Sequence, residues 1–232
     1  MFKCNPKKIT RSDGEQSRER LLKCAVKLFA EQGYAKTSTR EIAKSALANI
    51  SAIAYYFGDK AGLYRAVFTE TFSSPRQNVA VLNDTSLSLE EAFNGLFNGF
   101  IEPFKHGELV KLRIKLHMRE MLEPAGLWEE EIDNSIKPHL LALNELLCRH
   151  LNLAETDDDI RRLSISIVAM GVYMFVGQDV MGKVSPQLIN THEALDTMKS
   201  RLTMFALSMV QAEVARREQA NNEQSNEKNI DV

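Results

Sequence analysis

The chain contains few cysteines, and they do not form a pattern that binds metal or builds a disulfide framework. Only three of its 232 residues are cysteine, and these (Cys4, Cys24 and Cys148) are far apart in the sequence. An odd number of widely spaced cysteines excludes a CxxC metal site and a disulfide-rich scaffold, and it is typical of a reducing compartment. The five histidines also lack the spacing of metal ligands. We therefore expect a cytoplasmic protein that binds no metal and no cofactor.

The sequence also lacks an apolar run long enough to cross a membrane. Its longest uncharged stretch, Leu163 to Gln178, has 16 residues, whereas a bilayer requires about 20. The N-terminus, Met-Phe-Lys-Cys-Asn-Pro-Lys-Lys, has no apolar core of the kind found in signal peptides. We expect the uncharged stretch to form a buried helix, and we expect no membrane partner.

Sequence motifs that support catalysis are absent as well. The chain contains no G-x-S-x-G nucleophile elbow, no phosphate-binding loop and no HExxH zinc motif. Its composition, 44% hydrophobic and 26% charged, is that of an ordinary globular protein. Together these features predict a binding protein, not an enzyme.

An excess of positive charge is confined to the first 65 residues. That region carries 13 Lys and Arg against 6 Asp and Glu, whereas the rest of the chain carries 16 against 25. A basic head joined to an acidic body is typical of a module that binds a polyanion. The alternative is a chance distribution of solvated surface charges.

Two short predicted helices joined by a tight turn lie inside this basic region. Ser38 and Glu41 form a capping box, Ser-x-x-Glu, at the start of the first helix. The second is predicted from about Asn49 to Phe57, where Gly58 ends it. Two helices joined in this way place the second one in the major groove of DNA. The pattern predicts a DNA-binding module, and an adaptor built from the same helices is the alternative.

Three stretches of the basic region have a characteristic order and spacing. They read Ala25-x-x-Leu28-Phe29-Ala30-Glu31-x-Gly33-Tyr34, Thr37-Ser38-Thr39-Arg40-Glu41-Ile42-Ala43-x-x-Ala46 and Tyr55-Tyr56-Phe57-Gly58-x-Lys60-x-x-Leu63. On these motifs, residues 15–70 resemble the DNA-binding domain of the TetR/AcrR family of bacterial transcriptional regulators. The later helices resemble those of its CecR-like (YbiH-type) subgroup. The resemblance implies a homodimeric regulator, most often a repressor, that binds a palindromic operator in double-stranded DNA and is released by a small-molecule effector.

Apolar residues recur at helical spacing along the whole chain, and no segment alternates in the manner of a strand. We predict an all-α fold with an N-terminal three-helix helix-turn-helix DNA-binding domain and an all-α C-terminal ligand-binding and dimerisation domain. The predicted parts are a flexible basic arm (1–13), the DNA-binding domain (14–60), the effector-binding and dimerisation domain (61–220) and a disordered tail (221–232). Pro138 is expected to kink or divide a helix predicted from Trp128 to Leu151.

The resemblance implies which residues meet DNA. Thr37, Ser38 and Thr39, at the start of the second helix, are expected to donate to phosphate. The residues best placed to meet base edges begin the third helix, namely Asn49, Ile50, Ser51 and Ala52. Tyr55 and Tyr56 lie where the family contacts backbone or bases, and Lys60 lies where it contacts phosphate. Arg40 has two interpretations, a phosphate contact or a salt bridge on the helix surface.

The turn of the helix-turn-helix departs from the family pattern at Leu47, where the family usually has glycine. A left-handed conformation costs a leucine on the order of 1 kcal/mol. The turn is therefore expected either to bear that cost or to adopt another geometry that tilts the third helix.

Candidate effector-binding residues come from the C-terminal half, because the family places its ligand pocket there. They are mostly apolar, with a few polar groups, as is usual for small-molecule sites. The candidates are Phe100, Phe104, Arg113, His117, Met121, Trp128, Phe175 and Gln178. Arg113 and His117 are one helical turn apart and favour an anionic or polar ligand; the alternative is a solvated face beside Glu120.

The last two long helices are candidates for a dimer interface. Each carries apolar residues at spacings of three and four, and together two such pairs form a four-helix bundle. The predicted interface residues are Leu163, Ile167, Met170, Met174, Met198, Leu202, Phe205 and Met209. The first of the two helices carries a second apolar face, and a helix that is apolar nearly all round needs partners on both sides. The alternative is that both helices fill the core of a single chain.

Overall fold

The computed structural model describes residues 11–71 and 75–230, and the side chains of residues 14–69 and 79–223. Regular structure in these ranges is entirely helical, so the predicted all-α fold is confirmed. The α-helices are α1 (Arg11–Gln32), α2 (Thr39–Ser45), α3 (Ser51–Phe57), α4 (Lys60–Thr71), α5 (Pro75–Asn83), α6 (Leu89–Lys105), α7 (Glu108–Leu122), α8 (Trp128–Glu131), α9 (Lys137–Leu151), α10 (Asp158–Val176), α11 (Gln178–Val184) and α12 (His192–Ile230).

The chain forms two compact units. The N-terminal unit comprises residues 1–73 and 106–129, and therefore contains α1 to α4 together with α7. Its core includes Phe29 of α1, Ile42 of α2, Leu63 of α4 and Leu116 of α7, all fully buried. The predicted DNA-binding domain, residues 14–60, lies within this compact unit, and α4 and α7 supply part of the same core.

The C-terminal unit comprises residues 74–105 and 130–232. Its buried core includes Phe93 and Phe97 of α6, Leu143 of α9 and Ile167 of α10. Before α9 the chain forms a π-helical segment, Ile132–Ile136, and Pro138 lies in the first turn of α9. The expected interruption near Pro138 is therefore present, and the proline occupies a position where its missing N–H needs no helical partner.

The last helix, α12, is longer than predicted. It runs to Ile230, whereas the sequence pattern favoured an end near Gln219 and a disordered tail over 221–232. Just before the predicted end, ion pairs join α12 to the start of α10, with Arg217 Nη1 2.8 Å from Asp157 Oδ2 and Arg216 Nη2 2.6 Å from Asp159 Oδ2. Residues 1–10 of the predicted arm and 231–232 of the predicted tail lie outside the described residues.

No single helix in the described part of the chain is long and apolar enough to cross a membrane. The pair α10 and α11 reaches the required length and composition together, but the two helices bend by 69° at their junction.

Candidate nucleic-acid interface

The turn between α2 and α3 keeps the geometry that usually requires glycine. Leu47 has a φ of 51°. Its N–H donates to Lys44 O at 3.2 Å, and the N–H of Ala48 donates to Ala43 O at 2.9 Å. These two bonds make a Schellman motif, which ends a helix with one left-handed residue. The alternative turn geometry considered for Leu47 is therefore not adopted, and its side chain, 89% exposed, lies in solvent.

The start of α2 is held by Ser38, as the capping box predicts. Ser38 Oγ accepts a hydrogen bond from Glu41 N at 3.1 Å. The Glu41 carboxylate accepts from Gln32 Nε2 at 2.8 Å and so ties α2 to the end of α1. Ser38 and Arg40 are exposed and Thr39 is half-buried, so this end of α2 reaches the surface of the unit.

Thr37 does not share that position. It is only 1% exposed, and its hydroxyl donates to Gly33 O at 2.8 Å and to Leu28 O at 3.2 Å. The predicted phosphate contact is therefore replaced by a structural role, since a buried hydroxyl with two internal acceptors has no donor to offer DNA.

The candidate recognition helix, α3, begins two residues later than predicted. Asn49 Oδ1 accepts from both the N–H and the hydroxyl of Ser51, each at 2.9 Å, and the Asn49 carbonyl accepts from Ala52 N. Asn49 thus fixes the first turn of α3, so the carbonyl oxygen of its side chain is already engaged. Ser51 is exposed, but its hydroxyl proton points to Asn49.

The outer face of α3 is formed by short and aromatic side chains. Ile50 and Ser51 are exposed at its start, Tyr55 is 82% exposed one turn later, and Ile53 is buried on the opposite side. Tyr56 is half-buried, with its ring centroid 4.9 Å from that of Tyr55.

Two alanines differ from the prediction for the outer face of α3. Ala52 is half-buried, and Ala54, which the sequence prediction omitted, is exposed. Ala54 follows Ile50 by four residues, so helical spacing alone places it on the same face.

Lys60, the predicted phosphate contact after α3, is held against an aromatic ring. Its Nζ lies 4.3 Å from the centroid of Tyr34, a cation–π arrangement. Partial burial lowers the pKa of the Lys60 ammonium. The Tyr34 ring therefore fixes where this charge sits at the surface of the N-terminal unit.

The predicted effector-binding residues fall into two groups. Phe100, Phe104 and Phe175 pack together in the C-terminal unit, with centroids 5.7 Å (Phe100 to Phe175) and 5.4 Å (Phe104 to Phe175) apart. Gln178, half-buried, belongs to the same unit. The other four candidates, Arg113, His117, Met121 and Trp128, lie in the N-terminal unit.

The second group does not line a solvated face beside Glu120, because Glu120 is completely buried. His117 packs between aromatic rings, 5.9 Å from the centroid of Trp128 and 6.3 Å from that of Phe68. Burial lowers the pKa of the Arg113 guanidinium. The contacts of His117 with Phe68 and Trp128, together with the burial of Glu120, explain why the alternative of a solvated face is not adopted.

Half of the predicted dimer residues belong to the core of their own chain. Leu163, Ile167, Met174 and Leu202 are buried among the helices of the C-terminal unit, so they cannot meet a second chain. Met170, Met198 and Met209 are partly buried against that core, and Phe205 is exposed.

Of the apolar side chains that the described parts of α10 and α12 leave exposed, Phe205 alone belongs to the predicted interface. We call them the exposed apolar rows; they are Ile165, Tyr173 and Val176 on α10, and Met204 and Phe205 on α12. On α10, three of the four predicted interface residues, Leu163, Ile167 and Met174, lie on the buried side of the helix.

Among the described residues, no three His, Cys, Asp or Glu side chains lie close enough together to hold a metal ion.

The chain combines a well-formed helix-turn-helix, whose recognition helix is exposed, with a second helical unit. These features define its class as that of the DNA-binding transcriptional regulators. Residues 21–67 match the family model for bacterial regulatory proteins of the tetR family. Residues 89–212, more than half of the chain, match the model for the C-terminal domain of the HTH-type transcriptional dual regulator CecR. The chain belongs to the TetR family of bacterial transcriptional regulators, whose members are not enzymes, and the predicted likeness to the CecR-like subgroup is confirmed.

Individual relatives match over part of their length. The chain is 51% identical over 53 residues to the dual regulator CecR of Shigella flexneri, which covers 23% of each protein. It is 32% identical over 98 residues to the probable HTH-type transcriptional regulator YttP of Bacillus subtilis, covering 41% of this chain and 47% of that protein. The chain thus spans about half of the length of these relatives or less.

Solved structures of low identity share the fold. The structure of NalD, the secondary repressor of the MexAB-OprM multidrug efflux pump in Pseudomonas aeruginosa, has a TM-score of 0.65 at 21% identity, covering 86% of this chain and 98% of that one. A complex of SmeT with triclosan has a TM-score of 0.58 at 20% identity, covering 85% and 90%.

Proposed function

We propose that this protein is a homodimeric transcriptional repressor that binds a palindromic operator and is released by a small molecule bound in its C-terminal unit. The observation that carries the proposal is the geometry of the helix-turn-helix. The Schellman turn at Leu47 leaves the outer face of α3, with Ile50, Ser51 and Tyr55, open to a DNA groove.

Base recognition on this face is mainly apolar and aromatic. α3 has no Arg, Lys or Gln, so contacts of Ile50 and Ala54 with thymine methyl groups, and contacts from Tyr55, supply the direct readout. The amide nitrogen of Asn49 is the remaining polar group at the helix start. With so few polar readers, the shape of the DNA and the phosphate contacts contribute much of the specificity.

Phosphate contacts come from the residues that surround α3. Lys60, Arg40, Ser38 and Thr39 are the candidates, and Thr37 is not among them because its hydroxyl is used internally. The net positive charge of residues 1–65 supports the same surface, since phosphate neutralisation supplies much of the affinity of DNA-binding proteins.

Dimerisation is assigned to the exposed apolar rows. Apolar side chains on two neighbouring helices form a surface that a second copy of the chain can cover, and two-fold symmetry then pairs each helix with its own copy. A dimer presents two copies of α3 to two half-sites, so a palindromic operator follows from the symmetry.

The effector is assigned to the aromatic cluster of Phe100, Phe104 and Phe175 in the C-terminal unit. Packed aromatic side chains suit a largely apolar ligand, and SmeT, which shares the fold, has been solved with triclosan. We propose an aromatic, mostly apolar effector for this chain.

Selection of bound fragments from a pool of random 30-bp duplexes tests the proposal. We expect enrichment of a palindrome and binding by a dimer, measured by mass in light scattering. Binding to the enriched duplex should weaken steeply as salt rises, because several phosphates are neutralised in each complex. No enrichment, together with salt-independent binding, would contradict DNA binding and favour the adaptor alternative.

A second candidate, activation as well as repression, is supported by the match of residues 89–212 to a family described as a dual regulator. Fusing a reporter gene to the promoters that carry the enriched sequence distinguishes the two. Repression alone raises every reporter when the protein is removed, whereas a dual regulator raises some and lowers others.

A further inference from the structure

The most deeply buried charged side chain of the described residues is not part of the surface that meets DNA. Glu120 lies on α7 with an exposed fraction of 0%. Its carboxylate accepts from Tyr64 Oη at 2.7 Å, from Ala125 N at 3.0 Å and from Leu127 N at 2.8 Å. Three donors aimed at two oxygens are the arrangement that an acceptor-only carboxylate requires.

Tyr64 is correspondingly fixed as a donor. Burial first, and then the hydrogen bond to Glu120, raise the pKa of the Tyr64 phenol far above its ordinary value. The hydroxyl therefore keeps its proton, and Tyr64 is the donor in the bond to Glu120. Since Tyr64 is on α4 and Glu120 on α7, the bond joins two helices of the N-terminal unit.

The ring of Tyr64 continues the link toward the DNA-binding surface. Its centroid is 4.8 Å from that of Tyr34, and the Tyr34 ring carries the Lys60 ammonium 4.3 Å from its centroid. Phe29 and Phe68 enclose Tyr64 from other sides, with centroids 4.9 and 5.1 Å away. A rotation of the Tyr64 ring would therefore displace the ring on which Lys60 rests.

We propose that Glu120 is a positioning residue for DNA binding, acting through Tyr64 and Tyr34 to hold Lys60 where it meets a phosphate. The segment after α7 anchors the carboxylate through the N–H groups of Ala125 and Leu127, so the position of Lys60 depends on this loop as well as on α4. The inference rests on the proposed function, because it assigns Lys60 a phosphate contact in the operator complex.

The test uses the full-length protein and the duplex enriched in the selection described above. Tyr64→Phe removes the donor to Glu120 and keeps the ring, and Glu120→Gln replaces one acceptor oxygen with a donor. Each lost phosphate contact reduces the slope of log affinity against log salt concentration by about 0.9. We expect both variants to bind the duplex more weakly. The slope should fall by about 0.9 for each DNA-binding unit that contacts the duplex.

The matched control is Thr69→Val, which removes an exposed hydroxyl that donates to Arg65 O on the same helix, α4, and leaves the Tyr64–Glu120 bond intact. It should keep the wild-type slope. The Lys60→Ala variant supplies a double-mutant cycle: once Lys60 is absent, Tyr64→Phe should not change the slope further, because the two changes then remove the same contact.

Circular dichroism separates this role from simple destabilisation, since each variant must be helical at the temperature of the binding assay. A variant that loses affinity with an unchanged slope would overturn the positioning role, as would additive effects of Tyr64→Phe and Lys60→Ala on the slope. Wild-type protein that binds no duplex with a salt-dependent affinity would overturn the proposed function itself.

Discussion

The ring of Phe100 on α6 lies directly against the backbone of Gly171 on α10. A β-carbon built on Gly171 would be 2.4 Å from Phe100 Cδ2 and 2.7 Å from Cε2, so the two helices approach this closely only because residue 171 has no side chain. Phe100 also packs on Phe175. The contact between Phe100 and Gly171 therefore helps to position the aromatic cluster that is assigned to the effector.

Gly171→Ala is expected to destabilise the C-terminal unit. Alanine gains about 1 kcal/mol of helix propensity over glycine, but overpacking in a core typically costs about 1–3 kcal/mol, so we expect a net loss on the order of 1 kcal/mol in urea unfolding. Gly182→Ala on α11 is the control, because no atom lies within 4 Å of its β-carbon position, and it should be neutral or stabilising. Phe100→Leu should restore part of the loss, and a stabilised Gly171→Ala would disprove the steric argument.

Leu47→Gly is expected to leave the fold unchanged or to stabilise it by up to about 1 kcal/mol, because glycine adopts positive φ without the clash of a β-carbon. Leu47 is almost fully exposed, so the substitution removes no packing. Asn152, with a φ of 55°, is the other non-glycine residue with positive φ in the described part of the chain. Asn152→Gly should give a smaller gain, since asparagine tolerates this conformation. Marked destabilisation by Leu47→Gly in thermal unfolding would refute the left-handed turn.

Asp157 makes the stability of the C-terminal unit depend on pH in a predictable direction. Its hydrogen bond from Arg217, followed by that from Ile160 N, lowers the pKa of Asp157 from 3.8 to about 2. As pH falls, the unfolded chain binds this proton first. The contribution of the charged Asp157 carboxylate to the free energy of unfolding is therefore complete above about pH 4, and it is lost as the pH falls through 2. The Asp157 side chain is about half exposed to solvent, so we expect its contribution to the free energy of unfolding to be less than about 1 kcal/mol.

Asp157→Asn isolates this effect, because asparagine caps a helix as well as aspartate but does not titrate. In urea unfolding, the variant should be slightly less stable than wild type at pH 6, and the difference should shrink as the pH approaches 2. A difference that stays constant between pH 6 and pH 2 would show that the charge of Asp157 contributes nothing.

The order of elements in the N-terminal unit could be predicted from the sequence, because Ser38, Gly58 and the family motifs mark helix ends within a few residues. Contacts between distant residues could not. The bond between Tyr64 and Glu120 spans 56 positions, and that between Asp157 and Arg217 spans 60, so no local pattern reveals a buried Glu120 or the partner of Asp157. Three of the predicted dimer residues on α10 are buried in their own chain for a related reason: a helix that is apolar nearly all round does not indicate which face packs on its own chain.

Ile165→Glu is expected to prevent dimerisation without unfolding the chain. Ile165 is exposed on α10, and a carboxylate there would lie in the apolar contact between two copies. Light scattering should show a monomer whose helical content matches wild type, with much weaker binding to the enriched duplex. Leu141→Glu, an exposed leucine on α9 outside the exposed apolar rows, is the control and should remain dimeric. A dimeric Ile165→Glu variant would move the interface to another surface.

Thr37→Val tests whether Thr37 acts inside the protein or on DNA. The hydroxyl donates to Gly33 O and Leu28 O, so its loss leaves buried carbonyls with one partner fewer and should cost about 1 kcal/mol of folding stability. The slope of affinity against salt and the preferred bases should not change, because the side chain does not reach the surface. Ser38→Ala is the comparison, since it removes the α2 cap at a cost of about 1 kcal/mol and also an exposed hydroxyl near the proposed phosphate contacts. If Thr37→Val weakened DNA binding while its unfolding midpoint stayed at the wild-type value, Thr37 would belong to the DNA-contacting surface after all.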